Sequence, residues 1–125
     1  MAILGCGLIG SSWATFFASK GLRTRMYDVD PAACKSGMHR ARANLDTLLE
    51  LQCLSAAEVS AAKENLQPTN SLEELLSDCD YVQESVSEDY QTKAQVYRLL
   101  EPILPAGAFI ASSSSGLLMS KMQQA

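Results

Sequence analysis

No run approaches about 18 consecutive apolar residues, so no stretch reads as a membrane span. No charged start leads into an apolar core, so a secretory signal is not expected. Lysine and arginine never cluster. With a formal net charge of −4 and a pI of about 4.9, the surface suits neither nucleic acid nor an anionic membrane. Histidine occurs once, as His39, and there is no C-x-x-C spacing, so no metal site is expected. The four cysteines, Cys6, Cys34, Cys53 and Cys79, are scattered. They read as reduced thiols of a cytoplasmic protein. Internal repeats are absent, and the only biased segment is the serine run from Ser112 to Ser115.

What is present is ordinary globular material. The 125 residues are 47% hydrophobic and 19% charged, which suits one domain with one core. The chain is organised around Gly5-Cys6-Gly7-Leu8-Ile9-Gly10. A short apolar run, Ala2-Ile3-Leu4, precedes it, and a helical pattern with Trp13, Ala14, Phe16 and Phe17 follows. In a strand–turn–helix each glycine has a physical task. Gly5 makes the tight turn, Gly7 admits a pyrophosphate without a Cβ in the way, and Gly10 lets the helix pack closely on the strand. Free amides and the dipole at the helix start attract the anion. The alternative is an ordinary turn with small residues at its corner.

A carboxylate at the end of the second strand strengthens the dinucleotide reading. The stretch Arg23 to Asp28 reads as that strand. Asp28 follows Gly5 by 23 residues, near the roughly 20 expected of an acid on the ribose 2′-hydroxyl. A carboxylate there repels a 2′-phosphate, Asp30 adds a second acid, and no arginine follows closely, so NAD is favoured over NADP. Asp28 has an alternative role as a helix cap, although Asp30 before Pro31 is better placed for that. Cys6 fills a variable slot of the loop as a small residue rather than a nucleophile.

Helix one is expected from about Ile9 to Lys20, with Gly21 ending it and Trp13, Phe16 and Phe17 in the core. A longer helix follows from Ala32 to about Gln52. Met38, Ala41, Leu45, Leu48 and Leu49 share one face, with Arg40, Arg42, Asp46 and Glu50 mostly away from it. His39 reads as a surface or partly buried residue of this helix, not a catalytic one. Ser55 with Glu58, and Ser71 with Glu74, read as capping boxes. Strands are expected near Leu66 to Thr69, Tyr81 to Ser85 and Ala108 to Ala111. A helix after Asp89 carries Ala94, Tyr97, Leu100 and Leu104 on one face. Strands alternating with helices indicate a parallel sheet covered on both faces.

Three motifs thus fall at strand C-terminal ends, where doubly wound sheets bind ligands. They are the glycine loop with Asp28, Gln83-Glu84-Ser85-Val86-Ser87-Glu88 followed by Lys93, and Ala111 to Leu117 with its serines. In order and spacing they resemble the NAD-binding domain of the L-3-hydroxyacyl-CoA dehydrogenase family. The serine-rich third motif is most similar to the lambda-crystallin (L-gulonate 3-dehydrogenase) branch. The resemblance covers essentially the whole chain.

The resemblance implies a Rossmann-type α/β fold that is incomplete, with the last strand and a C-terminal helical dimerisation domain absent. It implies that Gly5, Cys6, Gly7, Leu8, Ile9 and Gly10 hold the pyrophosphate of NAD and Asp28 the adenosine ribose. Glu88 and Lys93 match residues that contact the nicotinamide half, Ser85 lines that part of the pocket, and Ser115 contacts the substrate oxygen at the reacting carbon. Read on their own, Glu88 and Lys93 also fit an exposed charge pair, and Ser115 a loop cap. The implied reaction is oxidation of the 3-hydroxyl of an L-3-hydroxyacyl-CoA or L-3-hydroxy acid such as L-gulonate. The family's histidine base has no counterpart here, since His39 lies on the wrong element. The chain alone is therefore expected to be inactive, and the parent enzyme a homodimer. An inactive nucleotide-binding or crystallin-like structural protein is the alternative.

Overall fold

The computed structural model describes residues 1–124. Five strands, β1 (Ala2–Leu4), β2 (Thr24–Tyr27), β3 (Leu66–Pro68), β4 (Tyr81–Glu84) and β5 (Phe109–Ser112), form one sheet in the order β3-β2-β1-β4-β5. Every pairing is parallel. Ile3 of the central strand is level with Met26 on one side and Gln83 on the other. The chain leaves β1 toward β2 and later returns to place β4 on β1's other side. That reversal opens a crevice at the strand C-terminal ends.

The helices are α1 (Leu8–Ser19), α2 (Pro31–Glu50), α3 (Ala56–Asn65), α4 (Leu72–Leu76), α5 (Tyr90–Leu100) and α6 (Met119–Met122). They cover both faces of the sheet, as the alternation of β1 requires. Ile3 packs with Ala14, Phe17, Met38, Leu45, Val59 and Ala62 from α1, α2 and α3. Ala2 and Leu4 point the other way, to Leu75, Leu76 and Leu100 from α4 and α5. Burying a side chain such as Ile3, Leu45 or Leu100 completely contributes about 1.5–3 kcal/mol.

Local signals set the helix ends. Asp30 caps α2 by accepting from the Ala32 N–H at 2.9 Å, with Pro31 in the first turn. Ser55 and Glu58 form the full reciprocal box on α3. Ser71 accepts from the Glu74 N–H at 3.1 Å, which is the first half of the second box. Gly21, at φ 77°, follows α1 and donates to the Ala18 carbonyl.

Three expectations need correction. Trp13 and Phe16 are 37% and 49% exposed, whereas Phe17 is 7% exposed. Helical spacing put all three near one face, but α1 rests on the sheet through Gly10, Ala14, Phe17 and Ala18. Trp13 and Phe16 remain on the rim, in contact with each other and with Phe17. Leu49 is exposed too, in the last turn of α2. Arg40, expected away from the packed face, is half-buried against the glycine loop. The short helix α6 lies after the last strand expected from the sequence.

Candidate functional site

The glycine loop sits at the C-terminal end of β1, between the ends of β2 and β4. Gly5 adopts φ 90°, a conformation that disfavours side chains, and its N–H donates to the Tyr27 carbonyl at 2.9 Å. A Cβ there would meet the Ser85 backbone at 2.7 Å, so the end of β4 lies directly on the turn. A Cβ on Gly10 would overlap the Gly5 carbonyl oxygen. Gly7 is different, because nothing lies within 4 Å of the Cβ it lacks. Gly7 is also the N-cap of α1, with no side chain capping the helix. Space is thus open beside Gly7 at the start of α1, where first-turn amides lack intrahelical partners, and Leu8 and Ile9 are exposed. An unoccluded backbone and a helix N-terminus are what a pyrophosphate needs, so these residues fit the dinucleotide.

Cys6 is fully buried, and burial followed by the neighbouring Cys34 pushes its thiol well above the ordinary range. It is packing, not a nucleophile. Its N–H donates to Asp28 Oδ2 at 2.7 Å, and the Asp30 N–H donates to Oδ1 at 3.1 Å. The carboxylate of Asp28 is thereby fixed beside the loop and is half-buried. Arg23 and Arg25, the arginines nearest in sequence, both pair with Asp78. His39, read from the sequence as a surface or partly buried helix residue, is exposed and lines a cleft of about 370 Å³ that also contains Asp28, Lys35, Arg42 and Thr69.

The other side of the site is built by β4 and β5. The Ser85 N–H donates to the Leu4 carbonyl at 2.8 Å, and the Ser85 and Ser113 hydroxyls are 2.8 Å apart. The Gln83 side chain donates to Ser113 Oγ at 2.9 Å. Glu88 Oε1 accepts from the Ser115 N–H at 2.9 Å and the Gly116 N–H at 2.6 Å. These amides, Gly116 first, hold the Glu88 carboxyl below its ordinary value. Glu88 and Ser115, 27 residues apart, are thus brought together. Ser114 Oγ is buried without a hydrogen-bond partner among the described residues.

Lys93 differs from the surface pairing with Glu88 that the sequence also allowed. It is 1% exposed, and Nζ donates to both oxygens of Glu84, at 2.6 and 2.8 Å. Glu84 is itself fully buried and also accepts from Tyr97 Oη at 3.0 Å, Ser112 Oγ at 2.7 Å and the Val86 N–H at 2.8 Å. Burial, then the Glu84 carboxylate, pushes the Tyr97 phenol up to about 12. Glu84, Tyr97 and Ser112 were named within their motifs and helix but given no role at the site from the sequence. A charged residue inside a buried parallel strand is the signal that marks Glu84. Gly37 was also missed. A glycine inside a helix usually has a packing reason, and a Cβ at Gly37 would stand 2.5 Å from the Cys6 carbonyl oxygen.

No group of three or more metal-binding side chains is gathered among the described residues. No helix among them is long and apolar enough to cross a membrane.

Comparison with known proteins gives a consistent answer. A sequence model of the 3-hydroxyacyl-CoA dehydrogenase NAD binding domain matches residues 1–125. The chain is 32% identical over 123 residues to lambda-crystallin of Oryctolagus cuniculus, covering 96% of this chain and 38% of that protein. It is 35% identical over 123 residues to L-carnitine dehydrogenase of Streptomyces griseus, covering 98% of this chain and 36% of that one. Among solved structures, (S)-3-hydroxybutyryl-CoA dehydrogenase of Ralstonia eutropha superposes with a TM-score of 0.89 at 27% identity, over 98% of this chain and 43% of that one. The chain therefore spans less than half the length of these relatives. A Rossmann-type parallel sheet, a glycine loop open at Gly7 and a match along the full sequence lead to one conclusion: the chain belongs to the 3-hydroxyacyl-CoA dehydrogenase family, as its NAD-binding domain.

Proposed function

We propose that the chain is the cofactor-binding part of an oxidoreductase that oxidises the 3-hydroxyl of an L-3-hydroxyacyl-CoA or a free L-3-hydroxy acid. The observation that carries this reading is the meeting of three motifs at neighbouring strand ends. Contacts link the three motifs in series: Asp28 holds the Cys6 N–H of the glycine loop, Gly5 lies against the Ser85 backbone, Ser85 meets Ser113 of the serine loop, and Glu88 accepts from the Ser115 N–H.

In this reading the amides of Gly7, Leu8 and Ile9 bind the pyrophosphate. The Asp28 carboxylate, already oriented by Cys6 and Asp30, accepts from the adenosine ribose hydroxyls. Glu88 and Ser85 line the nicotinamide end. Lys93 contributes through its charge and its hold on Glu84 rather than from an exposed position. The Ser115 hydroxyl positions the substrate oxygen. When bound, NAD supplies the hydride acceptor. A base must also take the hydroxyl proton. The chain's one histidine, His39, lies on α2 beside Asp28, away from Ser115. The isolated chain is therefore expected to bind NADH without turnover. We place the parent enzyme in the cytoplasm as a homodimer. The second reading, a nucleotide-binding or crystallin-like protein without catalysis, is favoured by the same histidine placement.

Titration of the chain with NADH, followed by nicotinamide fluorescence and compared with Asp28→Ala, tests the reading. Saturable binding that weakens about tenfold in the variant is expected for the loss of charged hydrogen bonds. A folded chain that binds no NADH would overturn it.

A further inference from the structure

We infer that Arg40 is a positioning residue of the glycine loop, holding its peptides so that the Gly7 amide faces the pyrophosphate. The inference rests on the dinucleotide reading above but concerns a residue of α2 that lies outside the glycine motif.

The geometry begins at Gly37. Its missing Cβ would lie 2.5 Å from the Cys6 carbonyl oxygen and 2.7 Å from Cys6 Cβ. So α2 rests directly on the loop backbone. Arg40 follows three residues later on the same helix face. Its Nη2 donates to the Cys6 carbonyl at 3.3 Å, and its Nε donates to Ser11 Oγ at 2.9 Å. Ser11 is fully buried, and its one hydroxyl proton is shared between the Gly7 carbonyl at 2.8 Å and the Leu8 carbonyl at 3.0 Å. One guanidinium thus holds the Cys6 carbonyl directly and the Gly7 carbonyl through Ser11.

Peptide planarity turns this grip into an orientation. In a trans peptide the C=O and the following N–H point to opposite sides. Drawing the Cys6 carbonyl toward α2 turns the Gly7 N–H away from α2, and no atom lies within 4 Å of the Cβ that Gly7 lacks. The preceding peptide is set separately, because the Cys6 N–H is held by Asp28. Two charged side chains from different elements therefore fix two successive peptides of the loop. An arginine suits this task because its rigid fork reaches two acceptors at once, which a lysine ammonium on a flexible stem does not. The fixed positive charge also favours an anion at the loop.

The test uses the chain labelled with [15N]glycine, whose seven glycines give few amide signals, together with Arg40→Ala and Arg40→Lys. In the ligand-free spectra the Gly7 amide is expected to move in both variants, while Gly21 and Gly107, which touch nothing near the loop, stay in place. The NADH dissociation constant is expected to rise about tenfold in Arg40→Ala, with Arg40→Lys recovering only part. If Arg40→Ala loses its fold, Arg40→Lys decides. A Gly7 amide at its wild-type position in Arg40→Lys, or NADH affinity within about twofold of wild type in the folded variants, would overturn the inference. Wild-type chain that binds no NADH sinks the cofactor reading instead, while the Gly7 shift still reports on Arg40.

Discussion

Lys93 Nζ and Glu84 Oε1 are 2.6 Å apart, in side chains only 1% and 0% exposed. The pair joins the first turn of α5 to the end of β4, beneath the site. Its carboxylate also collects Tyr97, Ser112 and the Val86 amide, so the buried charges are hydrogen-bonded as well as paired. Removing one partner strands the other charge in the interior. We expect Glu84→Ala or Lys93→Met to cost about 3–5 kcal/mol. The double variant should cost less than the sum of the singles. Urea unfolding of the four chains checks this, and additive losses would show that the two side chains act independently.

Gly7 and Gly10 belong to one motif but answer to different constraints. A Cβ at Gly10 overlaps the Gly5 carbonyl oxygen, while a Cβ at Gly7 touches nothing. Gly10→Ala is expected to lower stability by about 1–3 kcal/mol or more through overpacking. Gly7→Ala is expected to leave the unfolding midpoint nearly unchanged and to weaken NADH binding. A destabilised Gly7→Ala would show that the loop is under a constraint of its own rather than the ligand's.

Glu88 carries a pH dependence. The Gly116 and Ser115 amides hold its carboxyl below the ordinary value of 4.5. A depressed folded value means that the contribution is complete above the unfolded value and is lost as pH falls through the folded one. The tie between Glu88 and the serine loop should hold at neutral pH and release only below pH 4.5. Carbon-13 NMR of the Glu88 carboxyl, read beside the Ser115 and Gly116 amides, follows this directly. Release at or above the ordinary value would refute the assignment.

Phe16 and Phe17 are neighbours with opposite burial, at 49% and 7% exposed. Phe17→Ala should cost about 3–5 kcal/mol as a core truncation. Phe16→Ala should cost about 1 kcal/mol, the order of its exposed contacts with Trp13 and Phe17. Thermal unfolding of the two variants separates them, and equal losses would mean that Phe16 is covered in solution.

Much of the candidate site's local geometry was legible because its signals are local. The glycine spacing, the acid closing the second strand and the caps at Asp30 and Ser55 each depend on a few adjacent residues. Their geometry follows wherever the chain folds as strand–turn–helix. The α/β alternation was legible for the same reason, since periods of two and about 3.6 are written residue by residue. The sequence marked Lys93 as a candidate site residue but could not show its setting. Its partner Glu84 lies nine residues away on another element, and no local period links them. The exposure of Trp13 and Phe16 was misjudged because helical spacing shows which residues share a face without showing how far a neighbouring layer covers it.

By itself, then, the sequence determined the element order, the parallel sheet and the glycine loop at the start of α1, together with the carboxylate that accompanies it. These follow from steric rules at glycine, from capping and from apolar periodicity. Only the tertiary structure decided who meets whom across the sheet: Arg40 with Cys6 over 34 residues, Glu88 with Ser115 over 27, and Glu84 with Ser112 over 28. Those contacts arise from strand order and the close approach of α2 at Gly37. They are properties of packed backbones that no window of adjacent residues contains.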